Sequence, residues 1–179
     1  MRWLLVVVAL LAWTTTAIAE DTRFAEPGHG YTLHYPSTWT LSAPGPFAVV
    51  LRPSSATAGG DVAVSIENVR QPDDSGLLEG VTLLARRYLD ELAGHALQVE
   101  VHRQAPFLWH TGDGLVMTGQ QVVADFVREE VPYRQWAVFL PNPAGPVVHV
   151  WLFTAPQDQF SDWRPAAEGI LQSIQAARK

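Results

Sequence analysis

Apolar and polar positions alternate from Tyr31 to Tyr35, with Tyr31, Leu33 and Tyr35 on one side and Thr32 and His34 on the other. That is the period of a strand with one buried face. Pro36 ends it, because proline lacks the N–H for the next ladder bond and keeps Tyr35 extended. Ser37 and Thr38 turn the chain and Trp39 opens a second extended run, so the pattern predicts a first hairpin about this corner. A turn at Ala43-Pro44-Gly45-Pro46 and a strand from Phe47 to Arg52 follow. Asp61 to Arg70 is the clearest strand: Val62, Val64 and Ile66 face one way, Ala63, Ser65 and Glu67 the other.

The period then changes. Leu77, Val81, Leu84, Tyr88 and Leu92 form one helical stripe across Leu77 to Ala93, with Arg86, Arg87, Asp90 and Glu91 opposite. Asp73, Asp74 and Ser75 are candidate caps, and Gly94 suits a left-handed stop. From Leu97 the period returns to two. The pattern predicts a strand over Leu97 to Arg103, a break at Pro106, and a short strand over Phe107 to His110. A turn at Thr111-Gly112-Asp113-Gly114, a strand from Leu115 to Phe126 and a charged turn at Arg128-Glu129-Glu130 come next. Strands over Tyr133 to Leu140 and Val147 to Thr154 complete the series. The second is apolar enough for a central strand covered on both faces. A final helix carries Ala167, Ile170, Leu171 and Ile174 on its buried side, with Pro165 fitted to its first turn and Arg178 and Lys179 at its negative end. Tight turns make neighbouring strands antiparallel, so the layout is α+β: one domain, a central antiparallel sheet packed by two main helices.

The first nineteen residues stand apart. Arg2 precedes an unbroken apolar run from Leu4 to Ala12, and Ala17-Ile18-Ala19 is a small-x-small site. This predicts a signal peptide over residues 1–19, a loose segment over 20–29, and an exported domain over 30–177, periplasmic or secreted. The run is short of the ~20 apolar residues of a spanning helix, so no stable membrane span is expected after cleavage. The 179 residues are 47% hydrophobic and 17% charged, an ordinary balance for one core. No cysteine is present, which removes disulfides, thiolate metal sites and thiol nucleophiles together. The formal net charge is −6, and loss of Arg2 with the signal makes it one unit more negative. Such a surface disfavours nucleic acid and anionic membrane as partners.

Candidate chemistry is sparse. The six histidines show no His-x-x-x-His or His-Glu-x-x-His spacing. His34, His102 and His149 fall in predicted strands, where neighbours could gather two of them with Glu100 into the metal site of a hydrolase. No serine lies in a Gly-x-Ser-x-Gly elbow, and Gly112-Asp113-Gly114 lacks the helix and lysine of a phosphate loop. Asp73 with Asp74, and Glu129 with Glu130, are sequence neighbours and do not span a cleft as two glycosidase carboxylates must. The sequence therefore predicts no catalytic residue, no cofactor and no metal. Trp39 and Trp151 read as core. Trp109, His110 and Trp163 are the candidate partner-binding residues, since an exposed indole on a strand is a binding anchor.

Gly30-Tyr31-Thr32-Leu33-His34-Tyr35-Pro36-Ser37-Thr38-Trp39 in an exported domain resembles the opening of the PsbP-like and DcrB-like families. The valine-rich strand ending near Ile66, the helix over Leu77 to Ala93, the aromatic hairpin over Tyr133 to Phe153 and the final Ile170-Leu171-Gln172-Ser173-Ile174 agree with it. The resemblance spans about Phe24 to Ala177. It implies a PsbP-like α/β/α sandwich and a non-enzymatic domain acting through protein–protein contacts in binding, assembly or envelope maintenance, and it carries over no active site. The chain lacks the lipoprotein cysteine of DcrB. The chief alternative is a small-ligand or lipid carrier with a pocket between sheet and helix.

Overall fold

The strand from Tyr31 to Pro36 does not pair with the one that follows it. The computed structural model describes residues 21–28, 30–45, 48–54, 62–71, 77–111 and 114–176. Among these, β1 (Asp21–Ala25), β2 (Tyr31–Pro36) and β10 (Gln175–Ala176) form a small antiparallel sheet in the order β1-β2-β10. The chain then turns at Ser37 and Thr38 into a different sheet. That sheet has seven strands: β3 (Trp39–Gly45), β4 (Ala48–Pro53), β5 (Ala63–Arg70), β6 (Leu97–His110), β7 (Val116–Arg128), β8 (Val131–Pro141) and β9 (Val147–Pro156). Their order is β3-β4-β5-β9-β8-β7-β6, with every neighbour antiparallel. The expected first hairpin is therefore a crossing between layers. Tyr31, Leu33 and Trp39 are all buried in one core, and facing sheets satisfy that requirement as well as a hairpin would.

Two meanders, β3-β4-β5 and β6-β7-β8-β9, are seamed along β5 and β9, from Ala63 opposite Thr154 to Arg70 opposite Val147. The helix α1 (Leu77–His95) connects them. It covers one face of the sheet, where Val81, Leu84 and Ala85 pack against Val122, Ala137, Phe139, Val148 and Val150. On the other face Val64, Ile66, Val138, Trp151 and Phe153 lie beneath Tyr31 and Leu33 of β2 and Ala167, Ile170 and Leu171 of α2 (Phe160–Gln172). The layers are thus helix, large sheet, and a mixed layer of small sheet plus helix. The fold is α+β and sheet-dominated, rather than a clear α/β/α sandwich.

Other expectations are corrected in detail. The segment expected to be loose after residue 19 begins with β1, whose Phe24 sits opposite Leu33 and packs on the core. α1 runs through Gly94 to His95, and the left-handed residue beyond it is Gln98, φ 52. Pro106 does not divide its strand. β6 is an edge strand, where a missing N–H removes no ladder bond from a neighbour. Pro165 lies past the first turn of α2. The two-residue β10 carries too short a pattern to be read from sequence. The caps expected at Asp73, Asp74 and Ser75, the signal peptide over 1–19 and the termini at Arg178 and Lys179 lie outside the described residues.

Polar locks tie the layers. Ser173 Oγ accepts from the His34 N–H at 2.8 Å, and the carbonyls of His34 and Ile170 lie 3.0 and 2.7 Å from it. In the seam itself Asn68 stands directly opposite His149. His149 is fully buried, its Nδ1 lies 2.7 Å from Asn68 Oδ1, and its ring packs edge-on against Tyr31 at 4.9 Å between centroids. Asn68→Ala is expected to cost about 1–3 kcal/mol, because it strips a buried imidazole of a partner without removing the imidazole. Urea unfolding measures this; a loss under about 0.5 kcal/mol would show that the pair contributes little.

Candidate functional site

Side chains alternate across the sheet, so the β6-β7-β8 end presents two faces. On the α2 side it carries Gln121, Val123 and Asp125 of β7 with Arg134 and Trp136 of β8. β6 contributes His102, Arg103 and Phe107 there. α2 overhangs this face with Phe160, Arg164 and Glu168, spaced four apart and so on one helix face. Together these residues line a cleft of about 420 Å³. Its floor is apolar, from Phe107, Val123, Trp136 and Phe160. Two guanidinium groups rest on that floor: Arg164 lies 5.6 Å from the Trp136 ring and Arg134 5.8 Å from the Phe160 ring.

Asp125 anchors the cleft's outer wall. Its carboxylate accepts Arg134 Nε at 2.7 Å and Arg134 Nη2 at 2.8 Å, a two-point contact. It also meets His102 Nε2 at 2.7 Å and Gln157 Nε2 at 2.6 Å. One carboxylate thus fastens β6, β7, β8 and the turn before α2. Partial burial works to raise its pKa, but the hydrogen bonds and charges of Arg134 and His102 outweigh that and hold it below the usual carboxylate range. The same contact raises Arg134. Arg164 Nε reaches Glu168 at 3.7 Å across an exposed helix turn, a weak pair. Burial pushes the phenols of Tyr31 and Tyr88 far above their ordinary values, Tyr31 with help from the charge of Glu26.

The residues singled out by sequence fall in separate places. Trp109 is 4% exposed and packs within the core edge-on to His149, so its ring is not a surface anchor. The turn-side residues around it pulled it inward: β6 alternates, and Phe107 and Trp109 share the covered face. His110 is exposed. Trp163 is half-buried, edge-on to Trp39 at 5.9 Å. His34 belongs to the small sheet, His149 to the core, and His102 to the Asp125 cluster. The three histidines that might have shared a metal with Glu100 do not converge. Among the described residues no group of three or more His, Asp or Glu side chains is placed to hold one.

Asp125, Arg103, Arg134 and Arg164 were missed by sequence reasoning. A signal existed for one pair. Glu129 and Glu130 both have positive φ, 50° and 66°, as a two-residue hairpin turn requires. Taking Arg128-Glu129-Glu130 as that turn sets Arg128 opposite Val131 and hence Asp125 opposite Arg134, the observed register.

On the α1 side, the end of the β6-β7 hairpin exposes two apolar side chains that no described residue covers. Leu108 is 64% exposed and Val116 52%. His110 lies opposite Val116, and Leu108 is one diagonal step away, so the three form one patch. A further cleft of about 310 Å³ lies beside α1, with Glu67, Arg87 and Glu91 at its rim. No described helix is long and apolar enough to cross a membrane.

These layers define a PsbP-like fold. The cyanobacterial PsbP protein CyanoP of Synechocystis sp. PCC 6803 superposes with a TM-score of 0.66 at 16% identity, over 94% of this chain and 99% of that one. The Saccharomyces cerevisiae Ran-binding protein Mog1p matches with a TM-score of 0.56 at 9% identity, over 89% of this chain and 97% of its own. LpqN of Mycobacterium tuberculosis, involved in cell envelope biogenesis, gives 0.54 at 14% identity, over 87% and 90%. No family model matches the chain, and no curated protein matches it in sequence.

Asp125→Asn is expected to destabilise the protein by about 1.5–3 kcal/mol at neutral pH, the worth of charged hydrogen bonds. The folded carboxyl titrates below its unfolded value, so its contribution is complete above the ordinary carboxylate range. The contribution is lost as pH falls through the lower, folded value. Denaturation of parent and variant across pH 3 to 7, roughly, measures the gap. It should narrow toward the acid end; a gap that is constant with pH would show that the charge on Asp125 is not what stabilises this wall.

Proposed function

We propose that the chain is an exported, non-enzymatic binding or accessory domain that acts through contacts with a protein partner in the cell envelope. The observation that carries this reading is the exposure of Leu108 and Val116, with His110 beside them, at the end of the β6-β7 hairpin, where no described residue covers them. A contiguous apolar surface on a soluble face costs free energy unless something covers it. The likeness to a Ran-binding protein and to an envelope-biogenesis protein supports a fold suited to such contacts. Arg2, the apolar run from Leu4 to Ala12 and Ala17-Ile18-Ala19 have the pattern of a secretory signal, which supports export. A carrier role has one supporting observation, the cleft beneath α2, whose rim charge fits a different occupant better.

A photo-crosslinking side chain at His110 tests the proposal in cells making the protein at its natural level. It should join the domain to one protein of the exported fraction, and Leu108→Glu with Val116→Glu should reduce that product about tenfold by burying charge in the interface. A crosslinker at Arg86, on the exposed face of α1, is the control. Equal labelling from both positions, or a product untouched by the two glutamates, would overturn the reading.

A further inference from the structure

We infer that the cleft between α2 and the β6-β7-β8 wing is a docking groove for an extended segment of a protein partner that carries carboxylates beside apolar side chains. The inference rests on the binding-module reading and gives the chemistry of what is bound.

Charge supplies the first argument. The chain is net −6, yet this cleft sets Arg103, Arg134 and Arg164 against only Asp125 and Glu168, three positive charges to two negative, with the His102 imidazole beside them. Arg103 makes no ion pair among the described residues. Asp125 occupies two of the five N–H groups of Arg134. The Arg164–Glu168 contact, at 3.7 Å between side chains 56% and 38% exposed, is weak enough for an incoming carboxylate to displace. An acidic segment is repelled by most of the molecule and attracted here, so charge sets position and orientation as well as affinity. The cleft beside α1 sets Glu67 and Glu91 against Arg87 alone, a rim with the opposite balance.

The floor supplies the second. Arg164 and Arg134 lie over aromatic rings, so the cationic and apolar parts are one surface. A carboxylate next to an aliphatic or aromatic group meets both at once. Trp136 lines the cleft at 7% exposure and packs edge-on against Trp151 of the core, so the apolar floor is held in place from behind.

The place of the charges argues for a chain rather than a small molecule. The rim side chains are partly in solvent, with His102 at 35%, Arg134 at 32% and Arg164 at 56% exposure. Small-ligand sites enclose their ligand and fix it with few, buried polar groups. A rim of half-hydrated polar side chains, arginines among them, suits a segment that continues past the cleft. Backbone pairing to the free edge of β6 is not the mode. Two register shifts and Pro106 break that edge, as edges protected against added strands are broken.

The test uses fluorescence anisotropy with a labelled peptide of about ten residues in which glutamates alternate with leucine and phenylalanine. Its isostere with every glutamate replaced by glutamine is the first control, and free phenylpropionate, a small carboxylate of like chemistry, the second. The acidic peptide should bind about tenfold or more tightly than the amide peptide, and binding should weaken severalfold between about 50 and 300 mM salt. Arg103→Gln with Arg164→Gln should weaken it about tenfold with the thermal midpoint unchanged. If that pair fails to fold, the exposed single change Arg103→Gln should still weaken it severalfold. Equal binding of the two peptides, or binding unaltered by the arginine changes, would overturn the inference, as would phenylpropionate that binds as tightly as the peptide. Loss of the cleft result with the His110 crosslink retained leaves the binding-module reading standing; loss of both removes both.

Discussion

The seam between β5 and β9 is the interaction on which the rest of the molecule depends. It joins two meanders, and it brings together residues such as Asn68 and His149 that are 81 apart in the chain. Closing that distance costs entropy that no local contact offsets. Burial on both faces offsets it: Ile66, Trp151 and Phe153 turn toward β2 and α2, and Val69, Val148 and Val150 toward α1. The register is the sensitive part. A slip of one residue would send Trp151 and Phe153 to the α1 side and part Asn68 from His149.

What covers the seam also decides what stays open. Seven strands about 4.8 Å apart make a sheet about 29 Å wide, and a helix with its side chains is about 10–12 Å across. On one face α1 packs on β7 and β8 and reaches β6, so what stays open there is the turn end of the long β6-β7 hairpin; on the other face α2 and the small sheet lie over the middle strands and stop short of β6 and β7. On the α1 side the wing shows Leu108, His110 and Val116. On the α2 side it forms the cleft, whose outer wall is held by Asp125. The cleft follows from a sheet wider than its cover, and the exposed hairpin end from strands that run on past α1.

The wing is also built to remain apart. Gly119 lies so close to the Phe139 carbonyl that any side chain there would collide with it, so β7 keeps its approach to β8 only with glycine. Bulges and Pro106 roughen the β6 edge. The Asp125 contacts hold β6, β7 and β8 in register where the apolar core thins out. The result is a two-faced projection pinned across three strands, and a surface held in place in this way loses little ordering entropy when a partner meets it.

Strand and helix periods, the turns at Thr111 and Arg128, the burial of Val62, Val64 and Ile66 and the central place of β9 were determined by the sequence alone, because each is a matter of neighbours within a few residues. So was the scarcity of reactive motifs, since nucleophile elbows, metal-binding helices and phosphate loops are local patterns. The tertiary structure decided that Tyr31–Pro36 leaves Trp39–Gly45 for another sheet, that Trp109 turns inward while His110 stays out, and that His102, Asp125, Arg134 and Arg164 meet under one helix. These depend on which strands become neighbours and on how far a cover extends. Alternation along a chain gives the side of a strand that a residue occupies; only the assembled layers give what stands over it.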